Sequence, residues 1–362
     1  MVRKSLPPAI LKPTNLTFDF DDSNNNQKGI LLGDKCYWNP SVLPNGHVAI
    51  IGTSGSGKTQ TLKALAYDLP SLFPDIKRII IDYHGDQEIP GEKCFTLSMN
   101  SPHGINPLVI DQDVKGGGPA LQAIAVAASL RKSLLMGANQ EGLIIDILSK
   151  LYRSKGIIQG DNKTWNNDPP TFHDMRKEIE SRIQSGCKDS LKLALKLAAT
   201  FEYGIFTKPQ KIDNFPLIRI DLSALGKVVG LSAIATEAII KQIMDSHRIM
   251  GESKMPRTYL FIDECKEVRN SRTLNIILED GRKYGLSCVV ASQRDAEISK
   301  EIVANTATKI VLSVDQTEVK NVARRFRFSE TVVAALKPLE ALVRMGNNGI
   351  KTNIIPYYRR VL

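Results

Sequence analysis

The residues best suited to chemistry lie in His47–Gln60, HVAIIGTSGSGKTQ, which fits G-x-x-x-x-G-K-[ST] at Gly52, Gly57, Lys58 and Thr59. Such a turn grips a phosphate chain. Gly52, Gly55 and Gly57 leave out Cβ atoms that would keep phosphate oxygens from bare backbone N–H groups, and the following helix aims its positive end at the anion. Thr53, Ser54, Ser56 and Gln60 complete the expected cradle. Lys58 is expected to reach the β/γ-phosphates, and the Thr59 hydroxyl to enter a Mg²⁺ shell. A chance glycine-rich turn would also satisfy the spacing. The context favours the nucleotide reading: Val48–Ile51 reads as a buried strand, and Leu62, Leu65, Ala66 and Leu69 form a helical stripe.

A second landmark is Thr258–Glu264, an apolar run closed by two acids. A strand there would deliver Asp263 beside the phosphate loop to hold the magnesium hydration shell opposite Thr59, with Glu264 orienting or deprotonating an attacking water. Adjacent acids at a strand end also suit a plain helix N-cap. Leu286–Ala291 is a further buried strand, and it brings Gln293 to the sheet edge, where an amide can sense a γ-phosphate. Asp82 and Asp86, after the apolar run Ile79–Ile81, are expected either near the nucleotide and magnesium or as loop caps.

These groups need a parallel sheet whose strands end at one edge. The chain reads as α/β: a core of 47–111 and 211–362, a mostly helical insertion at 112–210, and a 46-residue lead-in without a complete domain. In the lead-in, Pro7, Pro8 and Pro13 oppose helix and Asp21–Asn26 is turn-rich. Gly29–Leu32 and Cys36–Trp38 read as short strands feeding the phosphate-loop strand, and the first helix is expected to end near Pro70. The insertion's Arg131, Lys132, Lys150, Arg153, Lys155, Lys188, Lys192 and Lys196 suit either a nucleic acid or solvated helix faces. His247 reads as a packing residue, and Leu342–Met345 with Ile350–Ile355 as a hairpin.

With 362 residues, 42% hydrophobic and 24% charged, the chain has the composition of a folded globular protein. No segment approaches about 18 uninterrupted apolar residues, so no membrane anchor is expected. The start lacks the apolar stretch of a signal peptide. Five scattered cysteines without C-x-x-C spacing fit free thiols in a reducing cytoplasm and no zinc site. The net charge of +10 suits a polyanionic partner, although a basic surface without a partner carries the same charge.

The constellation resembles the HerA/FtsK superfamily of ring-forming ATPases, a group that includes conjugative coupling proteins and type IV secretion ATPases. The resemblance rests on GTSGSGKT at 52–59, IDYHGD at 81–86, HGINPL at 103–108, FIDE at 261–264, GRKYGLS at 281–287 and ASQR at 291–294, and it spans about Gly46 to Met345. It implies a RecA-like P-loop fold with a mainly parallel sheet flanked by helices. It also implies ATP with Mg²⁺ at a site shared between neighbouring subunits, Gln293 as sensor, and Arg282 entering the next subunit's nucleotide. A guanidinium supplied in trans steadies charge on the transferring phosphoryl group; a helix-end charge is the plainer role for Arg282. Lys283 and Arg294 are weaker choices for the finger.

The reading that follows from the resemblance is an ATP-hydrolysing hexamer that translocates double-stranded DNA, with helicase action and a nuclease or other effector as further implications. The alternatives are a transport ATPase of the type IV secretion or conjugation kind, and a nucleotide-gated assembly module that scarcely hydrolyses. The sequence departs from the family at Cys265-Lys266, which leaves the partner of Glu264 open. The N-terminal β-barrel of HerA-like relatives is expected to be absent or reduced to the 46-residue lead-in, and the membrane anchor of many coupling proteins is expected to be missing.

Overall fold

The computed structural model describes residues 29–114, 116–210 and 215–361. The proline-rich start and the Asp21–Asn26 turn lie outside the described residues. Two short strands, β1 (Ile30–Gly33) and β2 (Cys36–Trp38), pair antiparallel in a sheet of their own. They do not feed the phosphate-loop strand as expected. They pack beneath it instead, Trp38 Nε1 donating to Thr308 Oγ1 at 3.0 Å.

The phosphate-loop strand is β3 (Val48–Ile51), followed by α1 (Lys58–Leu72), β4 (Lys77–Asp82) and β5 (Lys93–Thr96). Four helices then fill the connection to the next strand: α2 (Pro119–Ser133), α3 (Ala138–Ser154), α4 (Phe172–Gln184) and α5 (Lys188–Tyr203). Beyond them run β6 (Leu217–Asp221), α6 (Leu231–Ile249), β7 (Ser253–Ile262), α7 (Arg272–Asp280) and β8 (Tyr284–Ser292). The chain continues through α8 (Lys300–Asn305), β9 (Thr308–Val311), α9 (Val319–Phe326), α10 (Glu330–Ala334) and the hairpin β10 (Glu340–Met345) with β11 (Asn348–Asn353).

The main sheet has the order β11-β10-β9-β3-β8-β7-β4-β6-β5. Its neighbours from β9 through to β5 are parallel, and only β10 is reversed, pairing antiparallel with β9 on one side and with the edge strand β11 on the other. Covered strands of a parallel sheet are apolar on both faces, and VAII of β3 shows why. Val48 and Ile50 join a core with α1, the small sheet and Tyr357. Ala49 and Ile51 join the core on the other face, which collects side chains from α2 through α10.

Helix α1 runs two residues past Pro70. The missing proline N–H leaves the Ala66 carbonyl without its helical donor. Arg78 Nη1 supplies one at 3.0 Å, so the turn holds and the helix does not stop there. Several cations of the α2–α5 segment are engaged in surface ion pairs: Arg131 with Glu141, Lys150 with Glu178, Lys155 with Asp174, and Lys192 with Asp189. No helix among the described residues is long and apolar enough to cross a membrane.

Candidate functional site

The carboxyl ends of β3, β4, β7 and β8 face a cleft of about 430 Å³. Its wall holds Ser54, Gly55, Gly57, Lys58, Thr59 and Gln60 from the loop and α1, His84 and Asp86 after β4, Asp263 after β7, and Gln293 after β8. Residues up to 239 positions apart in the chain (293 − 54) thus meet at one sheet edge, as the strand-end spacing predicts.

The loop is fixed to the sheet from below. Gly52 N donates to Ser292 O at 3.2 Å and Thr53 N to Ser313 O at 2.8 Å. Two of the glycines are also required by the loop's own packing. A Cβ on Gly52 would stand 2.4 Å from Ser56 Oγ, and one on Gly57 2.6 Å from Leu339 Cδ2, with Gly57 at φ 106. Gly55, at φ 75, has nothing within 4 Å of its Cβ position. Gly52, Thr53 and Ser56 therefore lie behind the wall, and Ser56 is buried.

Leu339, itself at φ 67, donates its N–H to Ser56 O at 3.0 Å and accepts from Ile354 N at 2.8 Å. Tyr358 N donates to Gln60 Oε1 at 3.3 Å. The segment from Leu339 to Tyr358 thereby buttresses the loop and the first turn of α1.

Lys58 Nζ donates to Thr53 O at 2.8 Å, across the loop it belongs to. Burial lowers the ammonium's pKa, while the carboxylates of Glu264, Glu297 and Asp263 pull it back up. Asp263 is buried, and burial first and the Asp82 carboxylate second push its carboxyl up to about 7. Its oxygens accept from Tyr83 N at 3.4 Å and Gln87 Nε2 at 3.3 Å. Oxygens of Asp82, Asp86 and Asp263 lie within 4.8 Å of one another. Crowded hard oxygen donors at a carboxyl of raised pKa fit a hard dication such as Mg²⁺, with the Thr59 hydroxyl on the same cleft wall.

Asp82 divides from its neighbours by role. Fully buried, it accepts from the N–H groups of His84 (3.0 Å), Gly85 (2.7 Å) and Gln87 (3.1 Å) and from Arg219 Nη1 (3.1 Å). Of its two sequence-based alternatives, Asp82 takes the loop cap; Asp86 lines the cleft.

Glu264 is 2% exposed and does not line the cleft. Its Oε2 lies 3.3 Å from His84 Nε2 and 3.9 Å from Lys266 Nζ, which supplies the partners that the sequence left open. Sequence reasoning passed over His84. The signal was present in IDYHGD, a histidine two residues past a strand-ending acid, but its partner lies 180 positions away.

Arg282 is exposed in the short turn that precedes β8, whereas Gln293 follows β8. At about 3.3 Å per residue the strand separates them by roughly 30 Å, so Arg282 stands at the edge of the sheet opposite its own cleft. Lys283 beside it pairs with Glu252 at 3.1 Å. His247 is buried, bonded to Ile243 O and Thr258 Oγ1 as a packing residue.

The family model described as "Helicase HerA, central domain" matches residues 37–89, and that of the "Type IV secretion-system coupling protein DNA-binding domain" matches 214–330. The chain is similar to the DNA double-strand break repair helicase HerA of Sulfurisphaera tokodaii, 25% identical over 324 residues, covering 81% of this chain and 60% of that protein. It is also 21% identical to a probable helicase of Methanocaldococcus jannaschii, over 76% of this chain and 58% of that one. The chain thus spans about three fifths of the length of these relatives.

Among solved structures, VirB4 of Thermoanaerobacter pseudethanolicus superposes with a TM-score of 0.78 at 19% identity, over 91% of this chain and 97% of that chain. The plasmid coupling protein TrwB in complex with ADP and Mg²⁺ does so with a TM-score of 0.59 at 17% identity, over 85% of each chain. These likenesses show a shared fold: a mainly parallel sheet with flanking helices, as in P-loop ATPases of the RecA-like kind. The loop, Asp263 and the Gln293 edge gather around one cleft, and in its sequence matches the chain is similar to P-loop ATPases of the HerA/FtsK type.

Proposed function

We propose that the protein hydrolyses ATP with Mg²⁺ in a ring of identical copies, six in number, and uses the energy to move double-stranded DNA. The observation that carries this reading is the division of the machinery between two sheet edges. Lys58, Thr59, Asp263 and Gln293 face the cleft, and Arg282 is exposed roughly 30 Å away at the other end of β8. An arginine there cannot reach its own cleft, but it can reach that of a neighbouring copy.

Within the cleft, backbone N–H groups of the loop with Lys58 hold the phosphates, and Thr59, Asp263 and Asp86 offer oxygen ligands to the magnesium ion. That ion neutralises phosphate charge when bound. Glu264 takes the proton of the attacking water, Gln293 orients at the γ-phosphate, and the neighbour's Arg282 steadies the charge that spreads during transfer, an effect on the order of 10³–10⁵ in rate. The net charge of +10 and the similarity to proteins named as DNA repair helicases support DNA as the polymer moved. The free cysteines suit a reducing cytoplasm.

The test is ATP hydrolysis with and without long duplex DNA, together with mixing of variants. Arg282→Ala and Glu264→Gln should each bind ATP and fail to turn over. Mixed, they should recover part of the activity, because some seams then pair an intact Glu264 with an intact Arg282. No DNA stimulation and no recovery on mixing would refute the ring motor.

A further inference from the structure

We propose that His84 is a positioning residue that holds Glu264 withdrawn from the cleft, so that turnover requires the imidazole to release the carboxylate. The inference rests on the reading of the cleft as an ATPase site and adds a restraint on it. Three observations meet here. Glu264 has a side chain 3% exposed and is not part of the cleft wall, although the adjacent Asp263 is. His84 is on that wall, its side chain 51% exposed, with Nε2 3.3 Å from Glu264 Oε2. An ionised carboxylate only accepts, so Nε2 carries the proton and donates it.

The third observation separates a latch from an ordinary structural bond. The backbone that carries His84 is fixed by Asp82, which takes the N–H groups of His84, Gly85 and Gln87, and by Arg219 behind it. The loop therefore does not need Glu264 to keep its shape. Glu264 stands at the head of a short turn after β7, with Lys266 Nζ 3.9 Å from the same Oε2. The contact with His84 thus fixes where the carboxylate lies, buried beside the wall that carries Lys58 and Thr59 and not on it. Occupation of the cleft and approach of a neighbouring copy are events that can displace the half-exposed ring.

The experiment compares His84→Ala and His84→Gln with the wild type as full chains without DNA. His84→Ala should raise kcat on the order of tenfold, the factor set by one charge-assisted hydrogen bond of ordinary strength, with KM within about twofold. His84→Gln keeps a donor at the Nε2 position and should return kcat to the wild-type level. A second readout needs no turnover: in nucleotide-free protein, Glu264→Ala should shift the ring-nitrogen resonances of His84 and leave those of His47 in place. A His84→Ala protein that folds normally but hydrolyses more slowly, or at the same rate, overturns the latch, as does an unmoved His84 resonance. A wild type without ATP turnover under any condition fails the underlying reading of the site, an outcome distinct from either of these.

Discussion

Replacing Asp82 by asparagine should loosen the second wall of the cleft while changing almost no volume. In the wild type, Oδ1 accepts from the N–H groups of His84 and Gly85, and Oδ2 accepts from the N–H of Gln87 and from Arg219 Nη1. An asparagine has one carbonyl oxygen, so whichever way it turns, its amide NH₂ faces two donors. Two hydrogen bonds to a charged group, each contributing about 1.5–3 kcal/mol, are lost at a site with no access to water. Arg219 keeps Glu92 at 2.7 Å and Glu88 at 3.4 Å, which spares it the full penalty of a stranded buried charge. The expected loss is about 3–5 kcal/mol.

Urea denaturation of the intact chain measures that loss, and amide hydrogen exchange over 83–87 localises it. The variant should also turn over more slowly, because the same loop brings Tyr83 N and Gln87 Nε2 to Asp263. A stability change below about 1 kcal/mol, with exchange at 83–87 unaltered, would refute the idea that this carboxylate clamps the loop.

His47 gives a pH signature. Buried beneath the sheet, its Nδ1 accepts from Cys288 N at 3.0 Å, and burial lowers its pKa from 6.5 to about 4. The unfolded chain therefore binds more protons between those values. Stability from this group is complete above about pH 6.5, falls as pH drops toward 4, and loses on the order of 3 kcal/mol in all. His47→Asn, which keeps an acceptor, should flatten that limb in pH-dependent denaturation; an unchanged limb would refute the assignment. Gly57→Ala should destabilise by about 1–2 kcal/mol, from its positive φ and the Leu339 contact, and weaken nucleotide binding at least tenfold in a fluorescent-nucleotide titration. Lys58→Ala should abolish binding in the same titration. Removal of magnesium with EDTA should stop hydrolysis in wild type and leave weaker nucleotide binding behind.

The strand, loop and helix at 48–72 were legible because each signal is local: an apolar run, three glycines in six residues, then a stripe at helical spacing. Asp263 and Gln293 were legible for a related reason, since a strand's direction fixes which edge its last residue reaches. The packing role of Gly52 and Gly57 was not legible, because Leu312 and Leu339, which crowd them, come from segments some 260 and 280 positions later. The two short strands were legible but their pairing was not: two short apolar runs before a strand do not say which sheet they join. The His84–Glu264 contact depends on β4 and β7 being neighbours, and strand order is a property of long-range pairing that periodicity does not carry. Arg78 filling the place left by Pro70 is of the same kind, a rule about proline answered from outside the helix.

The buttress formed by Leu339 and Tyr358 bears on the birth of the molecule. The glycine-rich loop is made well before the residues that hold it: its strand is seated between β8 and β9, and its floor is held by residues beyond 338. A nascent chain halted before the hairpin would carry the complete fingerprint and no working grip.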